Sequence, residues 1–147
     1  GISMETDFCS HRLPLLERGW VIALAHCRGG GELGQAWHQD GSKLNKPRSL
    51  ADACAALDHL LDAGYSSPGK VAIHAFSAGG LLLGHLVNSR AGVLAAAWAQ
   101  SPFVDLLTAM TSPQLPLTVH EYDEWGDPSQ PEAFHTIASV CPYQNTA

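Results

Sequence analysis

Ala75-Phe76-Ser77-Ala78-Gly79 is the stretch of this 147-residue chain whose residue types best suit covalent chemistry. It follows an apolar run, KVAIHAF (Lys70–Phe76), and precedes the leucine-rich LLLGHL. A serine becomes a nucleophile when a sharp turn lifts its hydroxyl above a sheet. The residues two places before and after it must then be small, because they pack against that turn. Ala75 and Gly79 meet this requirement, with alanine where the G-x-S-x-G pattern has its first glycine. A helix starting at Ala78 would point its first amides at the site, and the Ala78 N–H is placed to help stabilise an oxyanion. The competing reading is an ordinary glycine-rich turn carrying an incidental serine.

A second pattern, Gly29-x-Gly31-x-x-Gly34, has the spacing of a dinucleotide phosphate loop and follows the apolar run Val21–Ala25. The surrounding residues argue against that use. The segment Gln35–Lys46 is polar and broken by Gly41, Glu32 would place a negative charge inside the loop, and no acidic residue ends a second strand about 20 positions on. The glycines are better read as a sharp turn where a strand leaves the sheet. That exit borders the edge where parallel sheets place their sites. Arg28 and Glu32 are spaced to pair across the turn.

Three elements must be strands if these loops are to lie at one sheet edge. Trp20–Cys27, Lys70–Phe76 and Val93–Gln100 are short apolar runs without polar alternation, the pattern of strands buried on both faces. Helical spacing lies between and after them. One helix starts near Leu50 and turns Ala53, Cys54, Leu57, Leu60 and Leu61 to one side, with Ser49 as N-cap and Gly64 as stop. A second spans Ala78–Asn88, packing through its leucines and Val87. A third runs Pro131–Val140, with Phe134, Ile137 and Ala138 inward. Strands alternating with helices imply right-handed crossovers and a parallel α/β sheet.

Composition narrows the function classes. The formal charge is −6, and the eight Lys and Arg residues are scattered, which argues against a nucleic-acid surface. Only Lys43–Arg48 is locally basic, and it reads as a solvated loop. Cys9, Cys27, Cys54 and Cys141 form no C-x-x-C pair, so free thiols in a reducing, cytoplasmic setting are expected. No histidines are spaced three or four apart on a helix, so no metal site is expected, and no cofactor. No apolar run approaches the roughly 20 residues of a membrane span. The chain opens without a visible leader and ends at CPYQNTA, which suggests a piece of a longer protein.

From Gly19 to Asn145 the chain resembles the prolyl oligopeptidase family of serine hydrolases. The matching stretches are RGGGELG with WH soon after, FSAGG, SPFVDLLTAM, LPLT, EYDEWGDP and CPYQN. EYDEWG is similar to oligopeptidase B, whereas FSAGG and CPYQN look like the prolyl endopeptidase-like branch. The resemblance implies an α/β-hydrolase domain capped by a β-propeller, of which residues 1–147 would be the central part of the catalytic domain. It makes Ser77 the nucleophile, with the catalytic Asp and His expected beyond Ala147 and an oxyanion tyrosine expected before Gly1. It also implies that Glu121 and Asp123 help receive a basic side chain. Paired carboxylates suit Arg or Lys through charge-assisted hydrogen bonds, although an Asp at the second position is shorter than the family's Glu. A solvated acidic loop is the other reading of these two residues.

The activity so implied is hydrolysis of oligopeptides, with ester or thioester hydrolysis as the alternative within the same chemistry. A third expectation is a truncated, non-catalytic chain that acts, if at all, by binding.

Overall fold

The computed structural model describes residues 2–4 and 6–146. Two strands, β1 (Val71–Phe76) and β2 (Leu94–Gln100), pair in parallel from Val71↔Leu94 to Phe76↔Gln100, with an irregularity between Val71 and Ala72. A parallel pair needs a crossover between its strands. Here the crossover is α4 (Gly80–Arg90), which packs back on both strands. Preceding β1 are α1 (Leu13–Leu16), α2 (Gln35–Gln39) and α3 (Lys46–Asp62). Following β2 are α5 (Leu106–Met110), α6 (Tyr122–Trp125) and α7 (Pro131–Val140). The result is a partial α/β domain.

The third expected strand does not form. Residues 20–27 have no ladder partner among the described residues. Burial still alternates there, with Ile22 and Leu24 half-buried and Val21, Ala23 and Ala25 exposed. The segment thus keeps the period of a strand and lacks only a neighbour. Nor are β1 and β2 buried on both faces. Val71, Ile73 and Leu94 pack against Leu57 of α3 and Leu86 of α4. On the opposite face His74 stacks on Trp98, its register partner, with ring centroids 4.3 Å apart, and Phe76 and Trp98 are exposed.

The helices match their expected spans with local corrections. α3 begins three residues before Ser49, with Pro47 in its first turn, where a missing N–H costs nothing. Ser49 is therefore not a cap. Its buried hydroxyl donates instead to the Arg28 carbonyl at 2.5 Å and the Gly41 carbonyl at 3.1 Å. In α4, Leu81, Leu83 and Leu86 are buried, whereas Val87 is exposed. α7 turns Ile137 inward as expected, together with Ala133 and Val140, whereas Phe134 is exposed and Ala138 only half-buried. A second core forms around Leu81, Leu106, Met110 and Ile137, and Trp125 belongs to it.

Candidate active site

β1 runs directly into Ser77, whose φ is +50°, a left-handed conformation costly for a non-glycine residue. A 3-10 turn over Ser77–Gly79 follows, and α4 continues from it. This is the strained strand-to-helix turn that lifts a side chain above the sheet edge, and Ser77 is exposed there. The size rule holds in space: a Cβ added to Gly79 would stand 3.3 Å from the Ala75 Cβ. As a first-turn residue, Ala78 has no carbonyl four residues earlier in the helix for its N–H, which leaves that donor for a ligand. The Ser77 carbonyl accepts a 2.9 Å bond from the Phe103 N–H, which ties the turn to the exit of β2.

No histidine among the described residues hydrogen-bonds to Ser77. His38 pairs with Glu124 at 2.7 Å, and His74 stacks on Trp98. Burial, with Arg90 nearby, holds the His85 imidazole below its usual range. No group of three or more His, Cys, Asp or Glu residues is arranged to hold a metal ion among the described residues. No helix there is long and apolar enough to cross a membrane.

The glycine loop is a backbone junction. Gly29 has φ +99°, and its N–H donates to the Trp37 carbonyl. A Cβ on Gly41 would collide with the Arg28 carbonyl group, so two backbone segments meet where neither has room for a side chain. The helix after Gly34 is only five residues long. Arg28 does not pair with Glu32. Its guanidinium grips Asp52 of α3 with two bonds of 2.8 and 2.5 Å, and its own N–H adds a third. Glu32 instead accepts from the Met4 N–H.

Glu121 and Asp123 lie on one short segment and are held differently. Glu121 ends a 3-10 turn and is half-buried, and its Oε2 accepts the Trp125 indole N–H at 2.7 Å. Asp123 is exposed and pairs with Lys43 at 3.0 Å. Asp123 and Lys43 also line a cavity of about 420 Å³ together with Tyr122, Asp127 and Glu132.

The sequence reading missed the strongest charge cluster. Lys46 is 5% exposed, so the stretch Lys43–Arg48 is not a uniformly solvated loop. Its Nζ lies 2.5 Å from Glu124 Oε1, and His38 Nε2 meets Glu124 Oε2. An ammonium needs such partners when buried. The available signal was Pro47, which marks a helix start and so places Lys46 in its first turn.

Burial pushes the Glu124 carboxyl up. The charge of Lys46 and the hydrogen bonds from Lys46 and His38 outweigh it and hold the group below its ordinary 4.5. Asp52 is held below 3.8 chiefly by its bond from Arg28. A depressed folded value means stability that is full above the ordinary pKa and lost as pH falls through the folded one. Urea melts of the wild type and Glu124→Gln should therefore differ most above the ordinary carboxylate range and draw together as the pH falls below it. A constant difference across that window would show that Glu124 carries no such linkage.

Comparison with known proteins bears on this arrangement. Residues 7–147 match the sequence profile described as the prolyl oligopeptidase family. This chain belongs to that family. It is 44% identical over 146 residues to a prolyl endopeptidase-like protein of Pongo abelii, covering 99% of this chain and 20% of the relative. It is 42% identical to protease 2 of Moraxella lacunata, with 99% and 21% covered. Among solved structures it superposes on oligopeptidase B from Trypanosoma brucei with covalently bound antipain, at TM-score 0.95 and 40% identity, covering 99% of this chain and 21% of that one. The chain thus spans about a fifth of the length of these relatives.

Proposed function

We propose that the protein carrying this segment is a serine hydrolase of the prolyl oligopeptidase family that cleaves oligopeptides, with residues 1–147 in the centre of its α/β-hydrolase catalytic domain. The observation that carries the reading is Ser77 at positive φ between β1 and a helical turn, flanked by Ala75 and by a Gly79 on which an added Cβ would stand 3.3 Å from the Ala75 Cβ. Ser77 attacks the scissile carbonyl, and the Ala78 N–H contributes to holding the oxyanion. The general base His and its orienting Asp come from parts of the protein outside this segment. Glu121 and Asp123 receive a basic side chain of the substrate. The four thiols, none bonded to another, support a reducing, cytoplasmic setting.

Hydrolysis of a neutral acyl ester or thioester is the second reading. It is favoured by one observation: Asp123 is paired with Lys43, and one Glu121 oxygen is taken by Trp125, which leaves less free carboxylate for a cation.

The full-length protein should be assayed on an Arg- or Lys-containing peptide amide and on an acyl thioester. A kcat/KM at least about tenfold higher on the basic peptide supports the peptidase, since one charge-assisted hydrogen bond is worth that much. The reverse order supports the esterase. Inactivity on both substrates overturns the catalytic reading.

A further inference from the structure

The buried Lys46 side chain is unexplained by the proposed chemistry. Its Nζ bonds Glu124 and stands 4.4 Å from the centroid of the Trp125 ring. Trp125 is itself buried, and two further contacts converge on it. Its indole N–H donates to Glu121 Oε2. Its ring system meets Phe103 at 5.4 Å between centroids, with the planes tilted at 60°. The Phe103 N–H in turn holds the Ser77 carbonyl. Trp125 therefore links the nucleophile turn to the acidic segment, and Lys46 fixes Trp125 through its ring face and through the adjacent Glu124.

From this arrangement we infer that Lys46 is a positioning residue for substrate selectivity: it clamps Trp125, so that the indole N–H holds Glu121 oriented toward a basic substrate side chain. The inference rests on the proposed role of Glu121. A cation over an indole face attracts it electrostatically, more strongly when both are shielded from water. An ammonium on the neighbouring carboxylate adds a charge-assisted bond. With the ring fixed, one Glu121 oxygen is committed to Trp125 and the other is presented without rotation. Orientation of this kind lowers KM for a cationic substrate without touching the reacting atoms.

The test uses the full-length protein and two substrates, a peptide amide with Arg at the cleavage site and its neutral norleucine counterpart. The variants are Lys46→Met, Lys46→Arg, the double variant Lys46→Met/Glu124→Gln, and Glu121→Gln. The double variant removes both buried charges together, so no unpaired carboxylate remains to unfold the protein. Expected is a rise in KM for the Arg peptide of about tenfold in Lys46→Met and in the double variant, with kcat within about twofold and the Arg-over-norleucine preference reduced to match. Lys46→Arg should recover most of that preference, because a guanidinium can both stack on the ring and bond Glu124.

Loss of kcat/KM in equal proportion on both substrates makes Lys46 merely structural and overturns the inference. So does a KM effect in Glu121→Gln with none in the Lys46 variants, and in that case the receptor role of Glu121 survives. An unchanged KM in Glu121→Gln ends the receptor reading and the inference together. Failure of all three Lys46 variants to fold, the arginine form included, assigns Lys46 to stability and also overturns it.

Discussion

Replacing Ser77 with alanine in the full-length protein is expected to abolish fluorophosphonate labelling and to lower kcat by on the order of a millionfold, the scale seen when a serine nucleophile is removed. The argument rests on where the hydroxyl sits. Ser77 holds φ at +50°, a region that a residue with a Cβ enters at a cost of about 1–3 kcal/mol. Surrounding structure must over-determine such a turn: the Phe103 N–H holds the Ser77 carbonyl, and Gly79 leaves a space that a Cβ would crowd against Ala75. Alanine at 77 keeps the Cβ and the backbone geometry, so the fold is undisturbed and only the oxygen is lost. KM should change little, since the hydroxyl is one small contact among many. Unfolding midpoints of the variant and the wild type should agree. Persistent labelling in Ser77→Ala would move the nucleophile to another residue.

How much of this was legible beforehand differs by element, for physical reasons. β1 and the turn after it were readable because the constraint is local. A strained serine needs small residues at fixed offsets, and offsets are visible in sequence. α7 is readable in extent from Pro131 and its apolar spacing, yet of the three residues expected inward only Ile137 is buried, with Ala133 and Val140 in place of Phe134 and Ala138. The segment 20–27 shows the limit of apolar runs as evidence. Its composition suits a strand, but a strand exists through its ladder, and the neighbour is not a property of the run itself. The Lys46–Glu124–His38 cluster is the least legible. Its members lie 78 and 86 positions apart in pairs, and the one local signal, Pro47, marks a helix start without saying that Lys46 is buried. Arg28 gives the same lesson. Glu32 is the near partner in sequence, whereas Asp52 is the partner in space, in the second turn of α3. The acidic pair divides likewise. The family resemblance implies one receptor, but the fold gives Glu121 an indole donor and Asp123 a lysine.

Gly80→Ala should be the most damaging single-methyl change near the nucleophile, lowering both stability and turnover. Gly80 is helical, at φ −55°, so alanine suits its backbone and by helix propensity alone would stabilise by about 1 kcal/mol. Space decides otherwise. The added Cβ would stand 2.7 Å from the Phe103 N, 2.8 Å from the Pro102 Cβ and 3.0 Å from the Pro102 Cα. These are backbone and ring atoms with no rotamer to yield. The connection cannot relax freely, because Ser101 beside it already holds φ at +44°. Overpacking of this kind costs about 1–3 kcal/mol, which offsets the propensity gain and leaves a net loss. The part that retreats is the segment whose N–H anchors the Ser77 carbonyl. A displacement of about 1 Å in a reacting group costs on the order of a hundredfold in rate, so kcat should fall by about that factor, with KM moving much less. Gly92→Ala is the matched control, because nothing lies within 4 Å of its added Cβ. It should leave turnover unchanged and raise stability by a few tenths of a kcal/mol, to about 1 at most. If Gly80→Ala reacts with fluorophosphonate as fast as wild type while its melting temperature falls, the Pro102–Phe103 connection supports the core and does not seat the nucleophile. If labelling slows about a hundredfold while Gly92→Ala stays at the wild-type rate, the room left by one missing methyl group is what holds Ser77 in place.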